Sequence, residues 1–421
     1  PDTYSPVPDV SVVTGSGEEL AGSEPERLFS GYGGRLLASL SIAWATLQIG
    51  RFLLSPLLPA VIADLGLTTT TAGLALGGFQ LLYAVTQFPS GRLSDAFTRP
   101  ALIVGGIGVI VASFLLFAAA TTAALFVAAT LALGLGKGLF AVASRAQVSD
   151  VFVDKRGRAL GIYAAGTDVG GLLASVVGVA VTGGTVFGIA VLGSAVSWRL
   201  PFAPLAGLLA LVGVGYVAWN DEPYRLGRAE LGLFSTVRRL LTTRRQRETV
   251  VAFALFFFVV GAWVSFLPTY LTATKGFTES AAAGVFAVVF VVGLGVKPVA
   301  GGLADRLPRR GVAAGGLLLS LVALVGVVVA DGVFAVAAAT AVYALGYKSV
   351  FPIVDALLLD AAPDANVGGD LGAARAVFLG VGAFGPAYLG WVADAASYRV
   401  GFVGLGLCIL AAVALLARGI D

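Results

Sequence analysis

The 421-residue sequence has no histidine, no methionine and one cysteine, and only 12% of its residues are charged. Without histidine, the chain cannot use imidazole as a catalytic base or as a metal ligand. The single Cys408 excludes a disulfide within the chain and a thiolate metal cluster. No nucleophile–base pair is visible, so we expect no enzymatic activity, no cofactor and no metal site.

Apolar residues are abundant, at 58% of the chain, and the mean hydropathy is +0.93. Soluble domains carry about 25% charged residues, so the composition excludes both a soluble fold and a disordered chain. Apolar runs of about 20 residues indicate membrane-spanning helices. The sequence predicts twelve spans, near residues 36–62, 69–90, 101–120, 123–147, 159–182, 199–219, 249–272, 280–303, 312–330, 333–358, 371–392 and 400–417.

The basic residues predict the orientation of these spans. If both termini are cytoplasmic, 19 of the 27 basic residues fall in cytoplasmic segments, three fall outside and five lie within spans. Such an excess of Lys and Arg marks the cytoplasmic side of a membrane protein. We therefore expect a multi-pass protein of the cell (inner or plasma) membrane with both termini in the cytoplasm.

Internal repetition divides the chain into two similar parts. Gly91-Arg-Leu-Ser-Asp95 recurs 210 residues later as Gly301-Gly-Leu-Ala-Asp305, and Lys137 with Phe140 recurs as Lys348 with Phe351. Repeats of this kind predict an all-α membrane protein built from two pseudo-symmetric six-helix bundles. The first copy has about eleven additional residues, which we place in 183–197. The predicted organisation is a disordered polar tail (1–34), a first bundle (35–219), a basic cytoplasmic linker (220–248) and a second bundle (249–421).

The repeated loops carry a family resemblance. Both are similar to the signature between helices two and three of the major facilitator superfamily, although the first copy departs from it at Ala96 and Thr98. The resemblance implies a secondary transporter that works by alternating access. It also implies that these loops lock the cytoplasmic gate and do not bind substrate. The gate residues are then Gly91, Asp95, Arg99, Gly302, Asp305, Arg306 and Arg309.

A second resemblance concerns the first span. Arg51-Phe-Leu-Leu-Ser55, followed by Tyr83 and Pro89, is similar to the opening of the organic-anion and organophosphate branches of that family. This similarity implies that Arg51 engages an anionic substrate. Gly50 stands where those branches often have an aspartate, so the resemblance carries no proton site onto helix one.

Seven charged residues lie within predicted spans, five of them positive. A charge inside a bilayer costs a few kcal/mol or more, so each needs water, a partner or a function. One interpretation is a positive cavity for an anion, formed by Arg51, Lys137, Lys348 and Lys297 together with Gln80 and Tyr83. The other is ion pairing within the protein, with Asp168 against a nearby base and Asp355 against Arg145 or Lys348. Arg145 is near the cytoplasmic end of its span, and we expect it to extend towards the headgroups.

Two carboxylates and several glycines complete the set of candidates. Asp168 is the first candidate for proton coupling and Asp355 the second, because a buried carboxylate can take up a proton. A fixed salt bridge is the alternative. The Gly73-x-x-x-Gly77 and Gly166-x-x-x-Gly170 spacings predict close helix contacts. Gly385-Pro386 predicts a kink in span eleven.

These patterns together predict a transporter of a small anion, with protons as the first candidate for a coupling ion. The expected partners are an anionic small-molecule substrate, the lipid bilayer and protons; we expect a monomer that binds no nucleic acid. Two alternatives remain open. One is a drug or amphiphile exporter of the same fold, and the other is a substrate sensor that does not transport.

Overall fold

The computed structural model describes residues 28–96, 98–186, 189–190, 196–224, 244–304, 306–359 and 367–418. These residues are almost all helical, apart from one short pair of strands, β1 (Thr185–Val186) and β2 (Ile189–Ala190). The helices are α1 (Gly31–Leu65), α2 (Thr69–Ala96), α3 (Arg99–Ala118), α4 (Ala123–Val151), α5 (Arg156–Val181), α6 (Phe202–Trp219), α7 (Arg244–Ala273), α8 (Glu279–Ala304), α9 (Arg309–Val329), α10 (Val333–Leu359), α11 (Val367–Gly382), α12 (Phe384–Ala395) and α13 (Tyr398–Ala417).

The helices correspond to the twelve predicted spans, with α11 and α12 forming the eleventh. Within the described residues, eleven segments are long and apolar enough to cross a membrane. The remaining helix, α2, has 28 residues, which at about 1.5 Å per residue also exceeds the ~30 Å hydrocarbon layer. The predicted fold class is therefore confirmed, and the chain is a multi-pass protein of the cell membrane.

The predicted kink in span eleven is confirmed as a break at Ala383 between α11 and α12. Pro386 has no backbone N–H, so it cannot donate the helical hydrogen bond to the carbonyl of Gly382. That carbonyl oxygen faces α7, where a Cβ added to Gly261 would lie 2.7 Å from it. Glycine at 261 therefore lets α7 pack directly against the break.

The turns between helices follow from their local sequence. Gly66 ends α1 with a positive φ of 60°, a left-handed conformation in which glycine pays no Cβ penalty. The Thr122 hydroxyl caps α4 by accepting from the Leu125 N–H at 3.3 Å, and the Ser397 hydroxyl caps α13 in the same way through Val400. These signals allow short connections between antiparallel helices.

The additional residues of the first bundle lie between α5 and α6, where the repeat offset predicts them. They include β1 and β2, which pair antiparallel with Thr185 opposite Ala190. The sequence analysis did not predict these strands. They are two residues each, too short for the alternation of polar and apolar residues to identify a strand.

The two halves, α1–α6 and α7–α13, repeat the same packing. In the first half α3 packs on α4 and α6, α1 on α5, and α2 on α4. In the second half α9 packs on α10 and α13, α7 on α11, and α8 on α10. Between the halves, α5 contacts α8, α2 contacts α11 and α12, and α1 contacts α7. We call the end where α1 begins and α13 ends the terminus side, and the opposite end the far side.

The halves are in close contact on the far side. The backbone N–H and the hydroxyl of Thr70, in the first turn of α2, both donate to Asp394 Oδ2 of α12 at 2.6 Å. Glycines bring the two helices together, since a Cβ added to Gly77 would lie 2.6 Å from the Ala383 carbonyl oxygen. A Cβ on Gly390 would lie 2.5 Å from the carbonyl oxygen of Thr69. The predicted close packing at Gly73 and Gly77 is therefore confirmed, and the halves are closed against each other on this side.

Between the halves, a cavity of about 180 Å³ lies from mid-depth towards the terminus side. It is far larger than the ~10–15 Å³ that a cavity needs to hold one water molecule. The structure therefore has closely packed halves on the far side, which we call closed, and a cavity between the halves towards the terminus side. The lining residues come from α2, α4, α7, α10 and α11: Tyr83, Arg145, Phe257, Phe351, Val354, Arg375, Phe378 and Leu379.

Several predicted features lie outside the described residues. They are the part of the polar tail before residue 28, most of the 220–248 linker (225–243) and Asp305. Gly91 and Asp95 fall in the last turns of α2, and Asp355 falls in α10, but the side chains of 87–97 and of Asp355 are likewise outside the description. The predicted domain boundaries stay predictions.

Removing the Asp394 carboxylate is expected to loosen the far side. Asp394→Ala takes the acceptor away from the first turn of α2, a loss of about 1 kcal/mol for a helix cap, or roughly fivefold in an equilibrium. We expect a cysteine at position 76, in a Cys408→Ser background, to react about fivefold faster with an impermeant thiol reagent added on the far side. Leu76 is 5% exposed in the closed state.

Asp331→Ala is the matched control, because Asp331 is an exposed carboxylate that pairs with Lys275 of its own half at 3.7 Å. Equal labelling rates in the Asp394→Ala and Asp331→Ala backgrounds would contradict the role given to Asp394.

Candidate functional site

Two cations lie in the centre of the first half among aromatic rings. The Arg51 guanidinium carbon is 4.3 Å from the ring centroid of Phe52 and 5.6 Å from that of Phe79. The Lys137 side chain of α4 is 4% exposed, and its Nζ is 4.2 Å from the Tyr83 ring centroid. Rings favour a nearby cation by about 0.5–2 kcal/mol each, less than the several kcal/mol that burying an ion costs. The aromatic contacts therefore compensate only part of the cost.

Neither cation has an acidic partner in the described parts of the chain, and no hydrogen bond to either is found there. Both lie over Phe79, with Lys137 Nζ 5.3 Å from the same centroid. They are thus less than about 11 Å apart, and at an effective dielectric of about 20 they repel by roughly 1.5 kcal/mol or more. An anion between them would remove this repulsion and supply the missing counter-charge.

Asp168 of α5 forms an ion-paired triad with two lysines of the other half. Lys348 Nζ of α10 donates to Asp168 Oδ1 at 2.7 Å, and Lys297 of α8 pairs with Oδ2. Asp168 is 1% exposed and Lys348 is 4% exposed. Gly293 of α8 makes room for the triad, since a Cβ there would lie 2.5 Å from Asp168 Oδ1. The triad links the two halves at mid-depth and keeps one net positive charge.

The triad bears on three of the sequence-based candidates. Asp168 was expected to carry protons or to form a fixed salt bridge, and it is ion-paired. Lys297 and Lys348 were expected to bind substrate, but in this conformation both are directed at Asp168. Arg51 and Lys137, in contrast, have no acidic partner among the described residues. The functional roles of all five residues stay predictions.

The other two binding candidates differ in position. Tyr83 is 8% exposed and lines the cavity beside Arg145. Gln80 lies one turn earlier on α2 and faces α7, with its Nε2 3.6 Å from the position of a Cβ on Gly261. Tyr83 is therefore the better placed of the two to contact a solute.

Arg145 does not extend to the headgroups as expected. Its guanidinium carbon lies 5.3 Å from the Trp44 ring centroid and 5.9 Å from that of Tyr163, and the side chain lines the cavity. The Trp44 ring is held in place by its Nε1–H, which donates to the Thr167 hydroxyl at 2.9 Å. A fixed aromatic surface thus draws the arginine inward.

The predicted gate residues that the structure describes lie at the terminus side, away from this centre. Arg99 pairs with Asp150 at the end of α4 and donates to the Ala146 carbonyl at 3.3 Å. Gly302 and Arg306 are exposed, and Arg309 is half-buried at the start of α9. The role of these loops as a gate stays a prediction.

Sequence reasoning missed the aromatic residues that hold the cations and the acidic partners at the helix ends. Trp44 lies seven residues before Arg51, and this helical spacing puts both side chains on one face of α1. The sequence therefore contained a usable signal for an aromatic residue on the face of α1 that carries the charge. Asp150 and Asp394 gave no such signal, because each binds an element distant in sequence.

Comparison with known proteins gives consistent findings. A sequence model described as Major Facilitator Superfamily matches residues 40–311 and 285–420. The chain is 29% identical over 295 residues to a "Chloramphenicol resistance protein" of Streptomyces lividans, covering 66% of this chain and 69% of that protein. It is 26% identical over 301 residues to a "Probable sulfoacetate transporter SauU" of Cupriavidus necator, covering 65% of each.

A similar fold is found among solved structures. A bacterial homologue of the human lysosomal transporter Spinster, in an inward-facing and unoccupied conformation, aligns with a TM-score of 0.74. The alignment covers 94% of this chain and 96% of that one, at 18% identity. This likeness concerns the fold alone.

Neutralising Asp168 is expected to destabilise the protein by leaving two lysines without a counter-charge. Removing one partner of a buried pair costs about 3–5 kcal/mol, and the partial exposure of Lys297 puts Asp168→Asn near the lower figure. We expect a clear fall in the melting temperature in detergent.

The double variant Asp168→Asn/Lys348→Met should recover part of that loss, because it also removes one of the unpaired cations. Additive losses in the double variant would contradict the pairing.

Proposed function

The chain belongs to the Major Facilitator Superfamily, and from this we propose that it is a secondary transporter that moves a small organic anion across the cell membrane by alternating access. The observation that carries the anion assignment is the pair Arg51 and Lys137. Both are held among aromatic rings of the first half, and in the described residues no carboxylate neutralises either.

The charge balance of the centre supports an anion over a cation. Asp168 is committed to Lys297 and Lys348, so it is not free to receive a positively charged solute. A cation entering here would meet Arg51 and Lys137 at close range. The relative named for sulfoacetate transport, a molecule with two acidic groups, is consistent with this substrate class.

In this proposal the terminus side is cytoplasmic, as the basic residues indicate. The structure then corresponds to a state closed to the outside, with the cavity on the inner side of the closed contact. Transport requires a second state in which the contact between Thr70 and Asp394 opens and the inner ends of the halves meet.

A drug exporter is the second candidate. It is favoured by the relative named for chloramphenicol resistance and by the rings of Phe257, Phe351 and Phe378 in the cavity. An apolar or cationic drug would use these rings and would not need Arg51. The two candidates therefore differ in their response to loss of that side chain.

Loss of Arg51 is expected to weaken anion binding by roughly 10- to 100-fold, because a hydrogen bond to a charged group contributes about 1.5–3 kcal/mol. Purified Arg51→Ala and Lys137→Ala should lose the thermal stabilisation that sulfoacetate, succinate or phosphate gives to the unmodified protein. Arg244→Ala removes an exposed arginine at the start of α7 and should bind normally.

Arg51→Lys should bind with intermediate affinity, since it keeps the charge but loses the planar donors. Stabilisation by cations or chloramphenicol alone, unaffected by Arg51→Ala, would favour the exporter.

Protons are the coupling ion in this proposal, and Asp168 is their site. In the present conformation both carboxylate oxygens bind lysines, so Asp168 would take up a proton only in a second state in which Lys297 and Lys348 have moved away. We expect an imposed pH gradient to drive anion uptake into proteoliposomes. Asp168→Asn should abolish the response to the gradient and preserve anion exchange, which needs no net proton movement. Uptake that ignores the gradient in the unmodified protein would remove this role from Asp168.

A further inference from the structure

The amide of Gln48, in the middle of α1, is buried without a hydrogen-bond partner. The residue is 2% exposed, and its Oε1 is fully buried and unbonded. Its amide nitrogen also has no hydrogen bond in the described part of the chain. Buried side-chain amides are nearly always bonded, so this one calls for an explanation.

On α1, Gln48 lies between two aromatic residues that lead to the two groups of charges described above. On an ideal helix it is about 60° around α1 from Arg51 and about 40° from Trp44. Trp44 lies one turn before it, with its ring centroid 5.7 Å from Lys137 Nζ. Phe52 lies one turn after it and contacts Phe290 at 4.6 Å between ring centroids.

The Phe290 ring connects Phe52 with the triad, because its centroid is 4.9 Å from Lys348 Nζ. Gln48 therefore lies on α1 between a residue whose ring contacts Lys137 and a residue whose ring is linked through Phe290 to Lys348.

Packing does not explain a glutamine at this position. The close contact between α1 and α5 here involves the Cβ of Gln48, which would lie 2.7 Å from a Cβ on Gly170. Leucine or methionine would offer the same Cβ and leave no unbonded amide. The polar end of the side chain is what requires a partner.

We propose that Gln48 is a specificity residue that bonds a neutral hydroxyl group on the transported anion. A primary amide both donates and accepts hydrogen bonds, as a hydroxyl does, whereas a bare carboxylate offers no donor. The favoured substrate is then a small hydroxy acid, with its acid group on Arg51 and Lys137 and its hydroxyl on Gln48. This inference rests on the proposed anion transport and adds the class of anion to it.

The test compares acids that differ only by a hydroxyl. Apparent affinities are measured by thermal-shift titration of the purified protein with lactate against propionate, and with malate against succinate. One neutral hydrogen bond corresponds to about 3- to 10-fold in affinity. The unmodified protein should prefer the hydroxylated acid of each pair by that factor.

In Gln48→Met the two acids of each pair should bind with about equal affinity, while the affinities for propionate and succinate change less than twofold. Gln246→Met makes the same substitution at a buried glutamine at the start of α7 and should keep the preference. Gln48→Asn shortens the side chain by one methylene and so moves the amide away from the hydroxyl. It serves as a second test if the methionine variant does not fold, and it should lose at least half of the preference for the hydroxylated acid.

A hydroxyl preference retained in both Gln48 variants, or an equal weakening of both acids in each pair, would overturn the inference and leave anion transport intact. Absence of any anion response in the unmodified protein would overturn the proposed function and this inference with it.

Discussion

The cost of holding charge in an apolar interior determines how the centre of this protein is built. Asp168 is the one acidic side chain found there among the described residues, and it binds two lysines from the opposite half. Within the triad each charged group has an oppositely charged partner in place of water, as buried ions require. Because both oxygens of Asp168 bind lysines, Arg51 and Lys137 need another source of negative charge. The aromatic rings offset only part of the cost of burying these two cations.

The far-side contact and the triad join the halves at two depths. Asp394 binds the first turn of α2 on the far side, and Asp168 joins α5 to α8 and α10 in the middle. Both links cross from one half to the other, so rotation of the halves must break or rebuild them. The glycines of α2 and α12 explain why this far side closes so tightly, since any side chain at Gly77 or Gly390 would strike a backbone carbonyl.

Much of the fold was predictable because apolar runs, repeat spacing and basic loops are read directly along the chain. Gly385-Pro386 likewise predicted the break in span eleven, since proline removes a specific hydrogen bond. The pairing of the charges was harder to predict from the sequence. From the sequence, Lys297 and Lys348 look like residues of an anion-binding site. Only the three-dimensional arrangement shows that they share Asp168.

Other parts of the site could not be inferred from local pattern. Arg145 lies near a helix end, where extension to the headgroups is usual, but the fixed Trp44 ring draws it inward. Gln48 looks like an ordinary polar residue on a helix until its burial and lack of partners are known. The contact of Asp394 with Thr70 joins residues 324 positions apart, which no short-range rule detects.

The central claim is that an anion binds to Arg51 and Lys137 while Asp168 keeps its lysines. Anomalous diffraction from crystals grown with a bromine-labelled carboxylate, such as 3-bromopropionate, tests it most directly. The account predicts electron density for the carboxylate against these two side chains, an anomalous bromine peak beside them, and an unbroken triad. A ligand bound to Lys348 with Asp168 displaced, or a peak confined to the lipid-facing surface, would contradict it.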